Sequence, residues 1–152
     1  MSKIYSQINK TVIIDSGFWF ALYDKSEEER HRKAISIFDK IKETKIIIPW
    51  PTLYEILKTR FTKNRISMIQ FELFLKKGNV IRLNDEVYKE DSLVDTFQKS
   101  LNQNRPISLV DVVIRNIISD EKNKIDYLVT FNEKDFVDII KKRKIEFFYS
   151  SS

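Results

Sequence analysis

The chain has 152 residues, 42% of them hydrophobic, 12% aromatic and 32% charged, which sustains one ordinary core and excludes a wholly disordered polypeptide. It has no cysteine and one histidine, His31, so disulfides, thiolate zinc sites, iron–sulfur clusters and multi-histidine metal centres are excluded. Lys and Arg number 27 against 22 Asp and Glu, a net +5 that permits a polyanionic partner.

In chain order, the β-branched runs Thr11–Ile14, Ile46–Ile48, Val80–Leu83, Tyr127–Thr130 and Ile145–Tyr149 read as five short strands. Between them, apolar residues three and four apart predict helices near 16–23, 28–43, 52–61, 65–77, 85–102, 109–120 and 133–141. Gly17, Pro49, Pro51, Gly78 and Pro106 sit at the joints. Strands alternating with helices predict an α/β fold, a mainly parallel five-stranded sheet with helices on both faces. Residues 1–10 read as an N-terminal extension, 11–149 as one domain and 150–152 as a tail. The N-terminus lacks an apolar signal core and no run is long enough to cross a bilayer, so a cytoplasmic protein away from membranes is expected.

In sheets of this kind ligands bind beyond the carboxyl ends of the strands. Asp15 follows the first strand directly, Glu55 lies just after the second, Asp111 opens a late helix, and Asp135 follows the fourth strand past Thr130 and Asn132. A parallel sheet brings such exits to one edge, so one acidic cleft is expected to collect all four. Carboxylates so crowded call for a cation, and oxygen donors suit Mg2+ or Mn2+. A plainer reading competes. Thr52-x-x-Glu55 and Ser108-x-x-Asp111 have capping-box spacing, and Asn132-x-x-Asp135 nearly does, whereas Asp15 escapes that account.

The set Ile13-Ile14-Asp15-Ser16, Leu53-Tyr54-Glu55-Ile56-Leu57, Ser108-Leu109-Val110-Asp111 and Asp126 through Phe136, with Asp24 and His31-Arg-Lys-Ala34 between, resembles the successive motifs of PIN-domain ribonucleases. Those include the toxin halves of VapBC-type toxin–antitoxin pairs. The likeness runs from about Val12 to Tyr149 and implies a single PIN-like domain with a metal-dependent endoribonuclease activity leaving 5′-phosphate and 3′-hydroxyl ends. Asp15, Glu55 and Asp111 match the family's first three acids and would hold the metal. The family commonly spells the fourth region Thr-x-Asp-x-Asp-Phe, where this chain has Thr130-Phe-Asn132-Glu-Lys-Asp135-Phe136. Asp135 is favoured as a fourth, outer acid and Asn132 is the other candidate. Ser16, Ser108 and Thr130 are placed to orient the acids. The likeness further implies an RNA substrate, a homodimer and, for a toxin, a small antitoxin.

Setting the four acids aside leaves 18 acids against 27 bases, a surface able to guide an RNA backbone. Lys58, Arg60, Lys63, Arg65, Arg105 and Arg115 are the candidate phosphate contacts. His31 reads as a surface or helix–helix residue, Lys141–Lys144 as cations at a helix end, and Phe18–Phe20 with Phe71 and Phe74 as core or a dimer face. Trp50, between two prolines, is the aromatic expected at the cleft rim. The alternatives are a PIN-like module that binds RNA or protein without cutting, a receiver-type phosphoacceptor and a haloacid-dehalogenase-like phosphatase. The last two are disfavoured because paired acids, or Asp-x-Asp, are needed where this chain reads Asp15-Ser-Gly17.

Overall fold

The computed structural model describes residues 9–148. The N-terminal eight residues, Tyr149 and the Ser150–Ser152 tail lie outside them.

Each strand is a short apolar run, and the central ones are buried on both faces, as parallel strands covered by helices are. β1 (Thr11–Ile14) is wholly buried. It pairs in parallel with β2 (Lys45–Pro49) on one side, Val12 opposite Ile46, and with β4 (Tyr127–Val129) on the other, Ile13 opposite Leu128. β3 (Val80–Leu83) and β5 (Glu146–Phe147) are the parallel edges, giving the order β3-β2-β1-β4-β5. The α/β class and the parallel five-stranded sheet are therefore as the sequence led one to expect. β5 is shorter than its apolar run.

Period-two alternation splits the strand side chains between two cores. Val12, Ile14, Ile46, Ile48 and Val129 pack under α1 (Ser16–Tyr23), α2 (Glu28–Ile41), α3 (Trp50–Ile56) and α5 (Arg65–Leu75), with Phe18, Trp19, Phe71 and Phe74 as the large fillers. Ile13, Ile47 and Leu128 face the other way, under α7 (Leu109–Ser119) and α8 (Val137–Arg143). Helices thus cover both faces. His31 is structural, its Nδ1 3.0 Å from the Ala21 carbonyl, so α2 is tied to the end of α1. None of the described helices is long and apolar enough to cross a membrane.

Three helices differ from their sequence pattern. The 52–61 stretch begins earlier, at Trp50, with Pro51 in the first turn where its missing N–H costs nothing. It ends at Ile56, because Leu57 and Lys58 leave helical geometry before the short α4 (Thr59–Thr62). The 85–102 stretch becomes α6 (Lys89–Phe97), running into a π-turn at Gln98–Asn102. Residues 133–141 divide into a 3-10 turn (Glu133–Asp135) and α8, which stops at Lys144 in the left-handed conformation. The cations in its last turn meet the helix dipole, as expected of Lys141–Lys144. Arg143 does more, donating to the Ile118, Asp120 and Asn123 carbonyls at the end of α7.

Candidate active site

The strand order reverses at β1, with β2 and β3 to one side and β4 and β5 to the other, so the crevice beyond β1 and β4 is the place for a site. Asp15 stands in it. Its backbone N–H donates to the Val129 carbonyl at 3.0 Å, which fixes it against β4. Its Oδ1 accepts the Ser16 N–H at 2.7 Å and its Oδ2 the Thr130 hydroxyl at 2.9 Å. Asp15 is thus also the N-cap of α1, a role its sequence context does not announce. The side chain is buried, and burial pushes its pKa up; the Thr130 and Ser16 hydrogen bonds oppose this, and the charge of Glu55 reinforces it.

Glu55 comes to the same place from α3. The capping-box reading fails here: the helix starts at Trp50, so Glu55 is in its last turn, and the Thr52 hydroxyl donates to the Pro49 carbonyl at 2.7 Å. Instead the Ser16 hydroxyl reaches Glu55 Oε1 at 2.5 Å while lying 3.5 Å from Asp15 Oδ1. Ser16 therefore bridges the first two acids, and its one proton goes to Glu55 at the shorter distance.

Asp111 is in the first turn of α7, where Ser108 is the N-cap and its Oγ accepts the Asp111 N–H at 3.1 Å. That part of the capping account holds. The carboxyl is nevertheless set apart: its pKa is pushed from an ordinary 3.8 to about 7, first by burial and then by the charges of Asp15, Asp135 and Glu55, with the Ser108 hydroxyl opposing. The charges of Asp15, Asp135 and Glu55 thus all act on Asp111, and none of the leading influences on it is a basic side chain.

The fourth position resolves into a linked pair. Asn132 caps nothing with its side chain; the amide donates to Asp135 Oδ2, while its backbone N–H donates to Thr130 Oγ1 at 3.0 Å. Thr130 so connects the turn from Asn132 to Asp135 with Asp15 through one hydroxyl, accepting the Asn132 N–H and donating its own proton to Asp15. Arg105 and Arg115, candidate phosphate contacts in the sequence, are placed differently. Arg115 is buried; it grips Asp138 with two bonds of 2.7 and 2.8 Å and donates to the Asp135 carbonyl at 2.7 Å. Arg105 donates to the same carbonyl at 3.2 Å and pairs with Asp138 at 3.5 Å. Arg115 is thereby corrected from a phosphate contact to a positioning residue, since its guanidinium is consumed in holding the turn that carries Asp135. Lys58, Arg60, Lys63 and Arg65 are exposed, as a phosphate-guiding role requires.

The donor set is carboxylate and hydroxyl oxygen, the chemistry of a hard divalent cation, and the mutual repulsion is what such a cation would relieve. As placed, no group of three His, Cys, Asp or Glu among the described residues stands ready to hold an ion together. The acids are near enough to repel without enclosing a metal.

The sequence grouped the three aromatics of α1 as core or a dimer face. Phe20, grouped there with Phe18 and Trp19, is 44% exposed and apart from the core those two make. Ser16 and Phe20 are four residues apart on α1, so the face that carries Ser16 to the acids also carries Phe20. Trp50, expected at the rim, is exposed beside Tyr54 on α3, their rings 6.1 Å apart. Comparison of the sequence with protein-family models and with curated proteins gives no match in either case.

Proposed function

We propose that this protein is a Mg2+- or Mn2+-dependent endoribonuclease of PIN type. The observation that supports the reading is that Ser16 joins Asp15 to Glu55 and Thr130 joins Asp15 to the turn bearing Asp135, with Asp111 near enough for the charges of all three to push it up to about 7. A group of acids kept together against such repulsion has a cationic partner as its simplest purpose. The choice of RNA rests on the motif resemblance, and the excess of bases elsewhere on the chain supports it.

Asp15, Asp111 and Glu55 would hold the ion, with Asp135 behind them. When bound, the ion neutralises phosphate oxygens and makes water a competent nucleophile at neutral pH. The chain's own part is orientation. Ser16 N–H and Thr130 fix the two oxygens of Asp15, the Ser16 hydroxyl fixes Glu55, and Arg105 with Arg115 fixes the backbone of Asp135. Water oxygen bonds to phosphorus as the bond to the 3′ oxygen breaks, and a proton ends on that oxygen, leaving 5′-phosphate and 3′-hydroxyl ends. The same resemblance carries the proposal of a homodimer and, for a toxin, of a small antitoxin partner.

Asn132 favours a second reading, a PIN-like module that binds without cutting, because a neutral amide stands where the family commonly writes an acid. Calorimetry with Mn2+ and cleavage of a labelled RNA separate the two. The nuclease reading expects Mn2+ binding and cleavage in the wild type, and both lost in Asp15→Asn and Asp111→Asn with the fold intact. Variants that still cut RNA would sink it.

A further inference from the structure

Glu55, which accepts the Ser16 hydroxyl beside Asp15, also lines a cavity of about 350 Å³. Its apolar lining includes Phe20, Tyr23 and Phe61, and its basic lining is Lys58 and Arg60. Tyr23 and Phe61 pack edge to face with ring centroids 5.3 Å apart, a fixed floor, and burial pushes the Tyr23 hydroxyl up to about 12, so it stays protonated. Phe20 lines the same cavity with 44% of its surface exposed. The fourth charged group, Asp24, is turned to its own loop, its Oδ1 accepting from Ser26 N at 2.9 Å and Ser26 Oγ at 2.6 Å.

We propose that this cavity is a nucleotide subsite: it seats one base of a single-stranded RNA against Phe20, while Lys58 and Arg60 hold a phosphate beside that base. The inference rests on the ribonuclease reading and goes beyond it by saying where the strand lies relative to the acids. Three features carry it. An exposed aromatic ring in a cavity lined by two further aromatics offers a planar base a stacking surface that a hydrated surface does not. Two cations at the rim match a phosphodiester and oppose the acidic cleft next door, so a strand is drawn in by its backbone on one side of Glu55 and reaches the carboxylates on the other. The volume is at the small end of ligand sites, suited to one nucleotide rather than a large cofactor. Ser16 and Phe20 lie one turn apart on α1, so that helix sets the distance between the seated base and the acids.

The test uses the full chain carrying Asp15→Asn, in chelator, with a fluorescein-labelled single-stranded eight-nucleotide RNA and fluorescence anisotropy as the readout. Phe20→Ala is expected to weaken binding about tenfold, and Phe20→Leu, which keeps an apolar group but has no ring, by a comparable factor. Lys58→Ala and Arg60→Ala should each flatten the slope of log affinity against log salt by about 0.7. Replacing bases one at a time with abasic residues should reveal a position whose loss weakens binding to the parent chain and has no effect in Phe20→Leu. Absence of RNA binding by the parent, unchanged affinity in both Phe20 variants, or an abasic penalty that persists in Phe20→Leu would overturn the subsite. Failure of the ribonuclease reading looks different: the chain with Asp15 intact binds the RNA with this Phe20 dependence yet does not cut it in Mn2+. Cleavage with no Phe20 dependence removes the subsite and leaves the nuclease standing.

Discussion

Asp111 and Asp138 make opposite contributions to stability as pH changes, although each is an aspartate on a helix of the same layer. Asp111 has its pKa raised from 3.8 to about 7, so between those values the folded chain binds more protons than the unfolded one and stability falls as pH rises. Asp138 is held below the usual carboxylate range, chiefly by the Arg115 hydrogen bonds, so its stabilisation is present above its ordinary 3.8 and lost as pH drops below that value. The chain free of divalent cations is therefore expected to lose stability from about pH 4 to about pH 7, the window in which the folded chain holds the Asp111 proton that the unfolded chain has given up. Urea midpoints at those two pH values check this, and Asp111→Asn should remove much of the slope. A midpoint that climbs toward the alkaline end in the wild type would contradict the crowding of the acids.

Helices show where local rules were readable and where they were not. The apolar runs of β1 and β2 and the cap at Ser108 follow from residues within a few positions, and Ser108 Oγ does accept the Asp111 N–H at 3.1 Å. The break at Leu57 and Lys58 has no glycine or proline to announce it. Arg115 was unreadable as a buried residue because its partner Asp138 is 23 residues away on another helix. Thr52 and Glu55 show the limit most plainly, since capping-box spacing carries no meaning once the helix begins earlier, at Trp50. Two substitutions follow from the same local physics, one removing a glycine and one adding it. Gly17 lies inside α1, and a Cβ there meets nothing within 4 Å, so Gly17→Ala should stabilise by about 0.5–1 kcal/mol. Lys144 has φ 57°, so Lys144→Gly should stabilise by about 1 kcal/mol. Thermal or urea unfolding measures both, and destabilisation by either would mean that its local geometry is other than described.

For the molecule as a whole, the fold was legible and the site was legible in part. Positions 15, 55, 111 and 135 were readable as acids at strand exits or helix starts, and the parallel sheet does bring them within mutual influence. What one dimension could not carry is which groups lie between them: the Ser16 bridge, the Asn132–Asp135 bond and the guanidinium pair under Asp135. The cation proposal has a global consequence. Mn2+ at about one hundred times its dissociation constant should stabilise the folded chain by about 2.7 kcal/mol. Asp111→Asn should reverse the ranking, melting at or above the wild type in chelator and below it in Mn2+. Parallel shifts of the two proteins with Mn2+ would place the ion elsewhere.

The hydrogen bond from Thr130 to Asp15 joins residues 115 apart in the chain. β1 occupies the centre of the sheet, yet the strand that completes its carboxyl edge is synthesised long after it. Contacts so distant in sequence form late and slowly. A ribosome-bound chain carrying α1 to α7 thus has its first three acids but not the threonine that fixes Asp15 or the turn that bears Asp135. If the protein cuts RNA, synthesis itself separates the making of the polypeptide from the onset of its activity, and any partner that meets the nascent chain has the interval before β4 docks in which to act.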